Sequence, residues 1–196
     1  MQTSTVLAPL YPLLFVALWS TGFIGAKFGL PDAEPLTFLS LRYALVLVLM
    51  GLAAWLMRAP WPRTAREWLH IGVSGLLVHA VYLGGVFIAI GKGLPAGVTA
   101  LVVGLQPVLT AIWLSSTGSS VSGRQWLGLV LGFGGLVLVV SNKFGAGGPG
   151  DQATWANLFM AVVALVSITA GTLYQKRFVQ PCDVRSANAV QLLAAL

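Results

Sequence analysis

The chain has 196 residues, of which 57% are hydrophobic and only 8% charged, against roughly 45–50% and about 25% in ordinary soluble domains. So few charges cannot clothe a soluble fold, whereas hydrocarbon solvates apolar side chains directly, and a mean hydropathy of +0.87 places the chain in a lipid bilayer. The net charge of +6 does not point to nucleic acid, because the cations sit between apolar runs rather than clustering on one face.

Stretches of about 20 apolar residues, the length that crosses roughly 30 Å of hydrocarbon, run Leu10–Leu30, Leu36–Met57, Trp68–Ile90, Ala96–Leu114, Trp126–Val140 and Trp155–Tyr174. A seventh begins near Ala187 and is cut at Leu196. The segment Met1–Pro9 lacks Lys and Arg, and no small-residue cleavage pattern follows the first run. That run is therefore expected to remain as a helix rather than to be removed as a signal peptide. The connections are short and rich in helix breakers: Pro31 to Pro35, Ala59 to Pro62, Gly91 to Pro95 and Gly145 to Gly150. The runs are continuously apolar, without the alternation of membrane strands, so the predicted fold is all-α: a polytopic transmembrane helix bundle with antiparallel neighbours. Trp61, Trp68, Trp113, Trp126 and Trp155 fall near predicted span ends, where indole rings favour the interface.

Cation placement predicts an orientation. Arg58, Arg63, Arg66, Arg124, Lys176, Arg177 and Arg185 follow the even-numbered helices, while only Lys27, Lys92 and Lys143 lie in odd-numbered connections. The even connections, and with them the N-terminus, are expected to be cytoplasmic. Cys182 is the single cysteine, so no intramolecular disulfide and no thiolate metal cluster is expected from this chain. The Gly145 to Gly150 stretch lacks the Lys and Ser/Thr of a phosphate loop and reads as a connection; no cofactor, metal site or catalytic residue is indicated.

Polar residues inside the spans are the candidate functional groups. Arg42 lies seven residues past Pro35, roughly 10 Å into its helix. A charge at that depth usually faces the bundle interior and marks a solute path, although an outward snorkel or a pair with Asp32 or Glu34 explains it equally in structural terms. His79 and Tyr82 sit three apart on one face of helix three with Ser74 near by, placed either to relay protons or simply to bond a neighbouring helix. His70 falls at the interface. Ser20, Thr21 and Gly22 suit either close approach of a solute or helix packing, and Gln106 before Pro107 combines a deep amide with a freed backbone carbonyl. Gly128, Gly132 and Gly135 share a face of helix five and predict close helix packing there.

Sliding the chain by 149 positions brings Gly22 onto Gly171, Lys27 onto Lys176 and Arg42 onto Gln191. A unit of five helices is odd in number, so its second copy would enter from the opposite side of the membrane.

Trp19-Ser20-Thr21-Gly22-Phe23, Pro35 followed by Arg42, Gln106-Pro107 and Gly132-Phe133-Gly134-Gly135, in this order and spacing, resemble the EamA repeat of the drug/metabolite transporter superfamily. The resemblance covers residues 10–141 as one five-helix repeat, with 155–196 similar to the start of an inverted second one. It implies a parent of ten helices acting as a secondary carrier by alternating access, here truncated within the second repeat. A polar cavity near the midplane, lined by helices one to four, would hold Trp19, Ser20, Thr21, Arg42, His79, Tyr82 and Gln106. A missing C-terminal half or a homodimer would complete it. Small multidrug exporters of the same superfamily depend on a buried acid in the first helix. Here Asp32, Glu34, Glu67, Asp151 and Asp183 all lie in connections, so a neutral, zwitterionic or anionic solute suits the lone interior arginine better than a cation. The expected location is the inner membrane. Rival readings are a membrane enzyme using His79 or Arg42, which would need a convergent carboxylate, and a non-transporting interaction subunit.

Overall fold

The computed structural model describes residues 10–118, 120–145 and 155–196. The segment before Leu10, the side chain of Lys143, Asp151 and all of the glycine-rich connection beyond Gly145 lie outside the described residues. The rest forms helices, with no strand among the described residues. They are α1 (Leu10–Gly29), α2 (Pro35–Leu56), α3 (Ala65–Gly91), α4 (Ala96–Ser116), α5 (Gly123–Gly145), α6 (Trp155–Phe178) and α7 (Val184–Ala195). The four helices α2, α3, α4 and α6 are long and apolar enough to cross a membrane, and α1 and α5 carry shorter apolar stretches. The chain is thus an all-α, polytopic helix bundle, as its hydropathy predicts.

Local chemistry sets the helix starts. Glu34 caps α2, its carboxylate accepting from Thr37 N at 2.7 Å, and Pro35 occupies the first turn, where no N–H is needed. Those Thr37 bonds hold the Glu34 carboxyl below its ordinary range. Thr64 and Glu67 form a reciprocal capping box on α3. Asp183 caps α7, and its bonds with Arg185, side chain first and then backbone, hold its carboxyl down to about 2.

Two helices depart from the regular pattern that the sequence predicts. α3 widens into a π turn over Leu76–Val81. α4 is split into Ala96–Val103 and Gln106–Ser116, because Pro107 has no N–H to offer the carbonyl one turn back, at Val103.

α3 is the centre of the bundle. Its Tyr82–Gly91 half packs along α6 and its Ala65–Gly75 half along α7; α2 lies against both α3 and α7. α1 leans on the first half of α4 and on α3. Ala26, Leu39, Tyr43, Val86, Phe87 and Ala164 are buried together where α1, α2, α3 and α6 meet. A second cluster, including Val98, Val102, Leu136 and Leu165, joins α4, α5 and α6. The long, mostly exposed apolar faces of α2 and α5, with Leu45, Val48, Leu131 and Leu138 at 62%, 65%, 68% and 68% exposure, are what a lipid environment covers.

Close approach at α3 requires glycine. A Cβ on Gly75 would stand 2.5 Å from the Gln191 backbone, and one on Gly171 would stand 2.6 Å from the Val78 side chain. The glycine face expected on α5 behaves otherwise. Nothing among the described residues comes within 4 Å of a Cβ on Gly128, Gly132 or Gly135, because α5 meets the bundle chiefly through the first half of α4. Gly75→Val is therefore expected to destabilise the bundle by about 1–3 kcal/mol through overpacking, seen as a lower thermal midpoint in detergent. Gly128→Ala is expected not to lower it.

Candidate functional site

The connections assemble at two ends. At one, Lys27, Pro31, Gly93 and Pro95 share a surface hollow, and the Asn157 side-chain amide donates to Lys92 O at 2.7 Å. At the other, Arg63, Glu67, Gln180 and Asp183 line a second hollow, Ser186 Oγ donates to Pro60 O at 2.8 Å, and Trp61 stacks on Trp68 at 6.3 Å. Arg58, Arg63, Arg66, Lys176, Arg177 and Arg185 belong to this second end, so the charge asymmetry read along the chain is also an asymmetry of the folded bundle. His70 lies near it, its Nδ1 2.6 Å from the Tyr174 hydroxyl, which joins α3 to α6.

Between the ends, a cavity of about 160 Å³ opens among α1, α2 and α3. Trp19, Gly22, Arg42, His79 and Tyr82 line it together with apolar side chains such as Phe87. Four residues singled out from sequence, Trp19, Arg42, His79 and Tyr82, therefore meet in one place. Helix α4, expected to contribute, lines none of it. Gln106 instead donates from Nε2 to Thr172 Oγ1 on α6 at 3.2 Å. Ser20 is exposed on α1, and the Thr21 hydroxyl donates to Leu18 O at 2.6 Å, within its own helix.

The electrostatics of the cavity are unbalanced. Arg42 makes no ion pair with any described residue. Glu34, the acid nearest to it in sequence, is engaged by Thr37. His79 Nδ1 and Tyr82 Oη are buried with no hydrogen-bond partner, although Gln191 stands beside the His79 ring and Trp19 beside the Tyr82 hydroxyl. A buried polar atom left without a partner costs about 1–3 kcal/mol. Two such atoms therefore lie beside a guanidinium that has no ion pair among the described residues.

Three further residues shape this wall. Tyr43 donates its hydroxyl to His79 O at 2.7 Å and meets the His79 ring edge-on at 5.9 Å. Gln191 donates to Ser74 Oγ at 2.9 Å. Ser167 donates to Leu77 O at 2.8 Å. Tyr43 and Ser167 carry no sequence signal beyond an ordinary polar group in a span. Gln191 had one, as the position matched to Arg42 by the 149-residue offset.

Comparison with known proteins agrees with the membrane architecture. The EamA-like transporter family matches residues 6–141. The uncharacterized inner membrane transporter YedA of Escherichia coli K12 is 27% identical over 191 residues, 96% of this chain and 60% of that protein. The uncharacterized transporter YvbV of Bacillus subtilis 168 is 30% identical over 181 residues, 90% of this chain and 56% of that protein. A probable amino-acid metabolite efflux pump of Escherichia coli K12 is 26% identical over 185 residues, 94% of this chain and 58% of that protein. The chain thus spans less than two thirds of the length of these relatives. No solved structure matches it.

Gly22 lines the cavity and has no atom within 4 Å of the place a Cβ would take. In a Cys182→Ser background, Gly22→Cys is expected to react with a membrane-impermeant thiol reagent, whereas Ala161→Cys, at a fully buried position, is expected to resist it. Labelling read by mass spectrometry checks both.

Proposed function

This chain belongs to the EamA-like transporter family, and from that premise we propose that the Arg42 cavity is part of the solute path of a secondary carrier. The observation that carries the reading is the grouping, in one cavity, of a guanidinium with no ion pair among the described residues and two buried polar atoms with no hydrogen-bond partner among them, His79 Nδ1 and Tyr82 Oη. A carboxylate or another compact acceptor satisfies all three, since guanidinium, imidazole N–H and phenol O–H are each able to donate. The solute is accordingly a small neutral, zwitterionic or anionic metabolite. The name of the Escherichia coli relative described as an amino-acid metabolite efflux pump is consistent with that chemistry.

Transport proceeds by alternating access of two inverted repeats, residues 10–141 forming the first and 155–196 opening the second. Positions matched by the 149-residue offset support this. Gly22 of α1 lines the cavity together with Val78, which Gly171 of α6 closely approaches, Arg42 and Gln191 flank His79 from α2 and α7, and Lys27 and Lys176 fall at opposite ends. A second copy, or further helices of the kind the longer relatives have length for, completes the cavity on its open side, where Arg42 is exposed. The protein resides in the inner membrane, like the relative so named. The end carrying Arg63, Arg66 and Arg185 is cytoplasmic, and so is the N-terminus. An enzymatic reading needs a carboxylate converging on His79 or Arg42, and among the described residues none lines the cavity.

Uptake and efflux of radiolabelled amino acids and small organic acids in vesicles bearing the protein test the reading. Arg42→Ala is expected to lower flux about tenfold or more, the loss of a charge-assisted bond worth roughly 1.5–3 kcal/mol. Unchanged flux removes Arg42 from the path, and absence of flux from the unaltered protein removes the carrier.

A further inference from the structure

The π turn of α3 is held from two sides. In a π turn the backbone carries one residue more than an α turn, which rotates the helix beyond it by about 100°, one residue's worth of α-helix. Within Leu76–Val81, two carbonyls accept from side chains on neighbouring helices: His79 O from Tyr43 Oη of α2 at 2.7 Å, and Leu77 O from Ser167 Oγ of α6 at 2.8 Å. Both donors are buried, Tyr43 at 4% exposure and Ser167 at 5%. Gly171, one turn along α6 from Ser167, lets Leu77 and Val78 approach α6 at a distance that excludes a methyl group. His79 and Tyr82 straddle the end of this turn and line the cavity.

We propose that Tyr43 and Ser167 are positioning residues that latch α3 in its π register and thereby aim His79 and Tyr82 into the cavity. Without the latches the segment relaxes toward the α-helical ladder. The half carrying Tyr82, Val86 and Phe87 would then rotate relative to the half that Gly75 anchors on α7. Neither donor lines the cavity, so each acts through the backbone of α3. The functional consequence rests on the reading of that cavity as a solute path; the structural claim does not.

The test uses the protein labelled with 15N-histidine in lipid nanodiscs. Only two histidines are present, so His70→Gln assigns the His79 ring signals. Tyr43→Phe keeps the ring against His79 and removes only the hydroxyl. Ser167→Ala removes the other donor, and Ser167→Thr restores one. Both deletions are expected to shift the His79 ring resonances and to speed amide exchange across Leu76–Val81 about tenfold, as loss of one hydrogen bond implies, with Ser167→Thr returning both toward the parent. Thr169→Ala, which removes a hydroxyl bonded to Leu165 O within α6, is expected to leave His79 unmoved even if the thermal midpoint falls. If Tyr43→Phe fails to fold, Ser167→Ala carries the test alone. His79 signals and exchange rates unchanged in the folded variants would overturn the latch. A moved His79 signal combined with unaltered flux in Arg42→Ala would leave the latch standing and overturn only the solute path.

Discussion

In hydrocarbon no water waits to satisfy a stray backbone group, so each carbonyl released from a helix ladder must find a donor within the protein. That constraint organises the centre of this bundle. Where α3 opens into a π turn, Leu77 O and His79 O keep a backbone bond from Tyr82 N–H and accept a second from hydroxyls of α6 and α2. Those bonds draw together the helices whose side chains bury Tyr43, Val86, Phe87 and Ala164. The apolar surface then does what it does in any membrane bundle: it fills gaps between helices at the core and meets lipid elsewhere.

Hydropathy alone located each helix among the described residues, because the requirement to cross a fixed thickness of hydrocarbon is a one-dimensional property of the chain. The ends moved by a few residues where caps decide. Thr64 and Glu67 start α3 at Ala65 rather than near Trp68, and Gly123 rather than Trp126 opens α5. The irregularities were less legible. Pro107 announces a weak point in α4, but the π turn of α3, Leu76–Val81, contains neither proline nor glycine. It is stabilised by partners far away in sequence, which no local pattern encodes.

The cavity was legible in part for the same reason. Arg42 and His79 stand out because charge and imidazole are rare in apolar spans, and the fold brings them together with Trp19 and Tyr82. Ser20, Thr21 and, more strongly, the deep amide of Gln106 stand out as polar groups in apolar runs, yet which side of a helix faces a cavity depends on tertiary packing. Gln106 turns to Thr172, and the Thr21 hydroxyl returns to its own backbone. On α5 the glycine spacing was read as a packing face. The described residues leave that face open, since a stripe of small residues records a capacity for contact and not the contact itself.

The two glycine contacts on α3 also limit how the molecule is able to deform. With Gly75 against the Gln191 backbone and Gly171 against Val78, rolling α3 on its axis drives main chain or branched side chains into one another within a fraction of an ångström. These contacts hold α3 tightly against α6 and α7, as Gly91, whose Cβ would stand 2.6 Å from Pro35, holds it against the start of α2. α1 has no such tooth against α3: the position of a Cβ on Gly22 or Gly25 is clear to 4 Å, and the tight glycine of α1, Gly29, meets the Phe38 ring of α2 at its last residue. A tilt of α1 about its Gly29 end therefore meets less steric resistance than a roll of α3, and it changes the width of the cavity while leaving the wall formed by α3 intact.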